Sequence, residues 1–497
     1  MTSYKRSACA VLMRPATGAE PYQVYIVRRS TSLSFLGGYQ AFPGGTVDPV
    51  DHEITVKGMH DDLDMVSAAV RELFEETGVL CLDGADKLDA GECARMRETL
   101  LEGSAPWPKF LERHNLTLNA SRFHHLGRWV TPPYTPTRYE AIYLAMWLPE
   151  GQEPSIIEGE LTEGEWLTPT EALRRHNGGE AQITYPVLET LRAMVHFKGD
   201  LEAVSRRMGE RTDGAYARPG GEILTGAHVV PVKTFTLPPA THTNTYVLGT
   251  DELVVIDPAT PIPEEQEKLV DYLQYLQSEG GTLKEIWLTH EHQDHVGAVN
   301  RIRDTFQIPV AAHRDTASRL PEDIPVDRFI ETDDVLVLSN SRGDDFRWRA
   351  IHTPGHARGH LVFFEEKLGT LISGDLIVGL GTVLIAPPEG NMIQYFNSLE
   401  YLQTLPLGFT LPAPGPPIAA SKAKIEEYIA HRTMRETKIF EALSEPLGSM
   451  DIVKKVYTDV PPQVYPLAEI NVKAHLEKLL EEGRVSVDKA IYSQVHA

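Results

Sequence analysis

Six consecutive residues, His290-Glu291-His292-Gln293-Asp294-His295, bring together four candidate metal ligands. They follow the apolar run Ile286-Trp287-Leu288, so a strand is expected to end where they begin. Alternate positions of an extended segment aim His290 and His292 to one side, and the turn that follows brings Asp294 and His295 round to join them. Imidazole and carboxylate at this density point to a transition metal and to hydrolysis by water activated on it. The three cysteines, Cys9, Cys81 and Cys93, form no C-x-x-C pair and lie far from the cluster in the chain. Neither a disulfide framework nor a thiolate site is indicated, and the metal is expected on nitrogen and oxygen.

A second set of chemically able residues lies in a helix predicted over residues 64–77. Val66, Val70, Leu73 and Thr77 share one face, while Glu72, Glu75 and Glu76 gather on a roughly opposite one. Like charges three and four residues apart cost a helix about 0.2–0.5 kcal/mol per pair, a cost that a hard dication removes. Phe42-Pro43-Gly44-Gly45 precedes the helix, which reads Arg71-Glu72-Leu73-Phe74-Glu75-Glu76-Thr77-Gly78-Val79.

This segment resembles the Nudix box, G-x5-E-x7-R-E-U-x-E-E-x-G-U. The second half of the motif is complete. The first half fits with Gly45 as its glycine and Asp51 in place of the first glutamate, and nineteen residues, 52–70, stand where the family has seven. The insertion and the Phe-Pro-Gly-Gly lead are similar to the subfamily that includes coenzyme A diphosphatases. The resemblance implies Mg²⁺ or Mn²⁺ on Glu72, Glu75 and Glu76, with Glu75 or Glu76 also accepting a proton. It further implies a structural Arg71 and a nucleoside-diphosphate-linked substrate, CoA-like in preference. Arg28 and Arg29, at a strand end, are candidates to contact substrate phosphate.

Downstream of the histidine cluster, Thr353-Pro354-Gly355-His356 adds a histidine, and Ile372-Ser373-Gly374-Asp375 adds a carboxylate after an apolar run. Upstream, Val254-Val255-Ile256-Asp257 ends a strand in an aspartate. In this order the pieces resemble the metallo-β-lactamase superfamily. That resemblance implies a first zinc on His290, His292 and His356, a second on Asp294 and His295, Asp375 bridging both, and Asp257 holding the histidine loop. Asp294 would orient the attacking water. The family's late Pro-Gly-His-Gly-Pro loop reads Pro412-Ala413-Pro414-Gly415-Pro416 here, so the second site lacks a nitrogen. One zinc is expected firmly and the second stays open, with His313 and His360 as conceivable substitutes.

Residues 425–436 and the terminal Ala474-His475-Leu476-Glu477-Lys478-Leu479 with Glu482-Gly483 resemble the branch typified by a β-lactamase-like endoribonuclease, which carries a helical, winged tail. The resemblances together imply a bifunctional metal-dependent hydrolase. Its Nudix half would cut a diphosphate, and its second half would hydrolyse a phosphodiester in single-stranded RNA or a thioester with zinc-bound hydroxide. In the alternative, only one half is catalytic and the other is a binding or regulatory module.

The elements that must position these residues form an α/β multidomain chain. At 497 residues it exceeds one ordinary core. Strands are expected at 8–13, 22–27 and 141–147, and a closing helix at 185–197. The pattern restarts near residue 229 with strands at 245–248 and 252–256 and a helix at 264–279. After the Pro-rich stretch 411–417, helices at 422–443 and 472–482 bracket 449–457, and a short strand follows at 485–487. The divisions read as a Nudix α/β/α sandwich over 1–205, a charged, Gly-rich linker over 206–225, a metallo-β-lactamase αββα sandwich over 226–420 and a winged-helix-like domain over 421–497.

The net charge of −23 disfavours broad binding to a polyphosphate backbone, although residues 432–489 are nearly neutral and leave room for a local RNA contact. No apolar run approaches the ~18–20 residues of a membrane span, and the first fifteen residues lack a signal-peptide pattern. A cytoplasmic protein without membrane contact is the expectation.

Overall fold

A computed structural model describes residues 4–33, 36–58, 61–131, 138–212, 219–340 and 345–495. The chain forms two compact units, residues 1–225 and 226–497, considered separately below.

The first unit is built on a mixed sheet. Its strands run in the order Gln40–Ala41, Tyr22–Arg29, Lys5–Pro15, Tyr139–Trp147 and His124–Val130. Lys5–Pro15 is apolar along most of its length because both of its faces are covered. Ala8, Ala10 and Leu12 share a core with Val66, Val70, Leu73 and Phe74 of the helix Leu63–Thr77. Val11 and Met13 pack with Leu188 and Leu191 of the helix Tyr185–His196 on the other side. The strand also divides one edge between two partners: Met13 pairs with Val24, whereas Ser7 pairs with Thr46 of Gly44–Thr46. That division brings Gly44 and Gly45 against the helix carrying the three glutamates. Gly44 has φ +155°, and a side chain there would run into the Ala8 carbonyl. The helix stops at Gly78, whose φ of +75° lets its N–H reach the Phe74 carbonyl.

The stretch expected as linker is not free of structure. A helix, Leu201–Thr212, runs through its first residues, and Gly221–Leu224 is a strand; residues 213–218 lie outside the described ones. Arg206 and Arg207 suggest solvent, but Leu201, Val204 and Met208 recur at helical spacing and pack into the core. Gly127 lacks the side chain that would meet Met208 Cβ at 2.8 Å. The sequence pattern does not announce the helices Ala90–Glu102, Trp107–Arg113 and Pro169–Asn177 either. Trp107 and Phe110 stack against Phe74, so that cluster is tertiary and carries little local period.

The second unit is a sandwich of two sheets. One orders Ala227–Lys233, His242–Leu248, Glu252–Ile256, Thr282–Trp287, Val310–Ala312 and Arg328–Phe329; the other orders Val335–Leu338, Phe346–His352, Leu361–Glu365, Thr370–Gly374 and Thr410–Pro412. Trp287 meets Phe363 between them, with ring centroids 4.8 Å apart. The helix Pro263–Ser278 covers the first sheet through Leu269 and Leu273, and Met392–Gln403 covers the second through Tyr395 and Leu399. Leu361–Glu365 and Thr370–Gly374 are buried at every position, as strands enclosed on both faces must be.

The helices Ser421–Ala442, Ser449–Val456 and Tyr465–Glu481 follow, with a small sheet ordered Leu447–Gly448, Ile491–Gln494, Val485–Asp488. This is the winged helix. The last helix begins at Tyr465 rather than 472, because Pro466 occupies its first turn, where a missing N–H costs nothing.

Two candidate metal centres

In the first unit, Asp51 is 1 % exposed. It accepts hydrogen bonds from Arg71 Nη2 at 2.9 Å and Nε at 3.1 Å, from Ser67 Oγ at 3.1 Å and from the Asp48 N–H at 2.8 Å. Asp51, in the place of the motif's first glutamate, is thus spent on Arg71. Arg71 in turn reaches the Thr46 carbonyl at 2.8 Å and Glu72 at 2.9 Å, tying the loop to the helix. Changing Arg71 to Met should leave Asp51 buried and unpaired, at a cost of about 3–5 kcal/mol. Amide hydrogen exchange of the helix Leu63–Thr77 would read that loss, and adding Asp51→Ala should recover most of it.

The three glutamates converge on the glycine turn. Glu76 Oε2 accepts the Gly44 N–H at 2.8 Å. Glu72 lies where a Gly45 side chain would stand, with both carboxylate oxygens 2.5 Å from that position. Burial pushes the Glu72 carboxyl up to about 7, against the opposing pull of Arg71 and with added repulsion from Glu75. Burial also raises Glu75 and carries Glu76 well above the carboxylate range, where repulsion from Glu72 adds to it. This is no solvated acidic face, since desolvated carboxylates that repel one another are stabilised together by a hard cation. The residues fit Mg²⁺ or Mn²⁺.

Arg29 exerts its charge on Glu76, whereas Arg28 is paired with Glu163 at 2.5 Å on the surface. Glu160 was not foreseen. Its charge acts on both Glu75 and Glu76, but it lies in a loop far along the chain, outside any recognisable spacing.

In the second unit the candidate ligands lie at or just beyond strand ends. Asp257 follows Glu252–Ile256, the histidine cluster follows Thr282–Trp287, His356 follows Phe346–His352, and Asp375 follows Thr370–Gly374. His292 Nδ1 stands 2.9 Å from His290 Nε2 and 3.0 Å from His356 Nε2. The nitrogens facing away from this meeting point are held by bonds of their own. His290 Nδ1 pairs with Thr289 Oγ1 at 2.9 Å, and His356 Nδ1 with the Leu384 carbonyl at 2.8 Å. Such outer bonds fix which nitrogen each ring offers inward.

Asp257 accepts the Thr289 N–H at 2.7 Å and Thr289 Oγ1 at 2.6 Å, and meets His295 Nδ1 at 2.8 Å. It therefore ties the histidine loop to the end of Glu252–Ile256. His295 Nε2 and Asp375 Oδ1, 3.4 Å apart and buried, make no hydrogen bond. A cation would satisfy both atoms.

Burial holds His290 well below the ordinary imidazole range, with His295 and His292 adding repulsion. It takes His292 down to about 3 and lowers His356 as well. Three neutral imidazoles facing one another fit a zinc ion. Asp294 sits in the first turn of Gln293–Val296, and its charge acts on His356.

Neither suggested substitute fills the place of the missing histidine. His360 has both nitrogens engaged: Nδ1 with Thr353 Oγ1 at 3.0 Å, and Nε2 accepting the Asp375 N–H at 3.2 Å. His313 stacks on His352 instead. The proline loop is itself anchored. Asn244 Nδ2 donates to the Pro412 and Gly415 carbonyls at 2.9 Å, and Tyr246 to Pro412 at 2.6 Å.

The tail reaches this centre too. Arg432 donates to the Val383 carbonyl, and Asn471 Oδ1 accepts from Ile385 N–H at 3.1 Å, bracketing the Leu384 carbonyl that holds His356. These supports are single polar residues without a local sequence pattern to announce them.

The chain matches the NUDIX domain over residues 3–188, the metallo-beta-lactamase superfamily over 238–413 and the beta-lactamase associated winged helix domain over 448–493. It is 33% identical over 263 residues to a beta-lactamase-like protein 2 homolog of Drosophila melanogaster, covering 50% of this chain and 85% of that one. With the Caenorhabditis elegans homolog the identity is 34%, covering 49% of this chain and 80% of that one. Among solved structures, a NUDIX hydrolase from Alicyclobacillus acidocaldarius is 27% identical, covering 41% of this chain and 97% of its own, with a TM-score of 0.37. A metallo-beta-lactamase family protein from Thermus thermophilus is 22% identical, covering 55% of this chain and 100% of its own, with a TM-score of 0.46. Through its second half, and with a Nudix domain ahead of it, the chain belongs to the metallo-β-lactamase superfamily, alongside the beta-lactamase-like protein 2 homologs.

Proposed function

We propose that the chain is a two-headed metal-dependent hydrolase. The observation that carries this reading is the meeting of His290, His292 and His356 nitrogens at 2.9–3.0 Å, each outer nitrogen of His290 and His356 already bonded elsewhere. Zinc bound there would polarise the scissile group and lower the pKa of water from ~16 to about 7. Asp294 orients the attacking water and passes its proton to the leaving group, while Asp375 and His295 hold the adjoining position. The scissile bond is a phosphodiester of single-stranded RNA, which the winged tail favours, or a thioester, which the acidic charge favours.

In the first unit, Glu72, Glu75 and Glu76 would hold Mg²⁺ or Mn²⁺, which would neutralise a nucleoside diphosphate, CoA-like in preference, and Glu75 or Glu76 would take the proton from the attacking water. Incubating the full chain with RNA, acyl-CoA, acyl-glutathione, CoA, NADH and ADP-ribose, each beside a His292→Ala control, assigns substrates to heads. Turnover surviving in the control belongs to the first head, turnover lost belongs to the second, and no turnover of any of them contradicts the reading.

One observation favours a narrower account, in which the second unit binds rather than cuts: Pro414 stands where the family supplies a histidine. Pro414→His tests its consequence. The variant should hold about one more zinc per chain than the parent, measured by elemental analysis after gel filtration. An unchanged content would show that the gap is not what limits the second metal.

A further inference from the structure

A second cluster of imidazoles in the same unit belongs to neither centre. His313, Asp315 and His352 each bring a potential ligand atom within 4.8 Å of the other two. The His313 and His352 rings lie parallel, with centroids 4.3 Å apart and planes at 9°. His313 is 9 % exposed, so its ring is offered from a built position and not from a freely moving surface side chain.

The hydrogen bonds decide which nitrogens are available. His352 Nε2 meets the Arg358 carbonyl at 2.7 Å. A carbonyl only accepts, so Nε2 carries the proton and Nδ1 keeps its lone pair. His313 Nδ1 accepts the Asp315 N–H at a long 3.2 Å, so its lone pair also lies on Nδ1, and its protonated Nε2 faces Glu331 Oε2 at 4.0 Å. Asp315 Oδ2 is 3.8 Å from His313 Nδ1. Each ring thus carries its lone pair on Nδ1, engaged in His313 only by the long Asp315 N–H bond, with Nε2 turned toward a carbonyl in His352 and a carboxylate in His313. The adjacent positive charge, Arg314, is paired with Glu331 at 2.6 Å.

We infer that His313, Asp315 and His352 form a second binding site for a divalent first-row transition ion, separate from the centre at His290, His292 and His356. Two imidazoles and a carboxylate select Zn²⁺, Ni²⁺ or Cu²⁺ over Mg²⁺ or Ca²⁺. Both rings must rotate out of their stack for the Nδ1 lone pairs to meet at one ion, and that ion displaces the weak Asp315 N–H bond. His352 directly precedes Thr353-Pro354-Gly355-His356, and Thr316 Oγ1 donates to the Gly359 carbonyl at 3.0 Å. An ion here thus ties the turn Arg314–Ala317 to the loop that delivers His356.

The test is equilibrium dialysis of the full chain against micromolar free zinc, with bound zinc counted by elemental analysis. His352→Gln is expected to bind about one equivalent less than the parent chain, while His292→Ala still takes up the ion that His352→Gln loses. His313→Gln serves in the same assay where circular dichroism shows His352→Gln misfolded. Equal uptake by the parent and the folded variant overturns the assignment.

Discussion

Replacing His292 by alanine is expected to remove hydrolysis by the second unit, lowering it by more than about 100-fold. Loss of a partner that merely orients a ligand costs 10–100-fold, and loss of a ligand exceeds it. His292 is the residue to choose because its Nδ1 stands within 3.0 Å of both His290 and His356, so no other single removal opens the group as widely. It is only partly buried and ends no core element, so the fold should survive. Steady-state assays on whichever substrate the second head turns over, with diphosphatase activity followed in parallel, check the result. Diphosphatase turnover should be unchanged, and an equal fall in both activities would show that the variant had damaged the whole chain.

Glu75→Gln should lower diphosphatase turnover by about 10²–10⁴-fold, the range associated with a group that transfers a proton. Glutamine keeps the volume and loses the charge. The helix should tolerate it, since Glu75 faces a group of carboxylates that burial and mutual repulsion already disfavour. Circular dichroism should be unaltered, and formation of the two phosphomonoester products from CoA or ADP-ribose in Mg²⁺ or Mn²⁺, separated by chromatography, would register the fall. Turnover equal to that of the parent chain would remove Glu75 from the chemistry.

The candidate site was legible where its residues are contiguous or end strands. His290 to His295 sit in one loop, and Asp257, His356 and Asp375 each follow a strand whose apolar run announces it. The three glutamates share one helix, so spacing alone collected them. The supports were not legible, because they are set by tertiary contact. Asn244 fixes the proline loop from a strand 168 residues away, and Arg432 and Asn471 bracket Leu384 from the tail. Glu160 reaches the glutamates from a loop without any repeat of type or spacing. The helix Leu201–Thr212 is hidden for a related reason: charge at Arg206 and Arg207 masks the Leu201, Val204 and Met208 stripe that decides where it packs. Among the described residues no helix is long and apolar enough to cross a membrane.

The central claim is that His290, His292 and His356 hold one zinc tightly while Pro414 leaves its neighbour weak. Zinc per chain, counted on protein purified without chelator and passed through gel filtration, tests it most directly. The parent chain should retain about one equivalent more than His292→Ala. Less than about 0.3 equivalents on the parent, or a content that His292→Ala leaves unchanged, would contradict it.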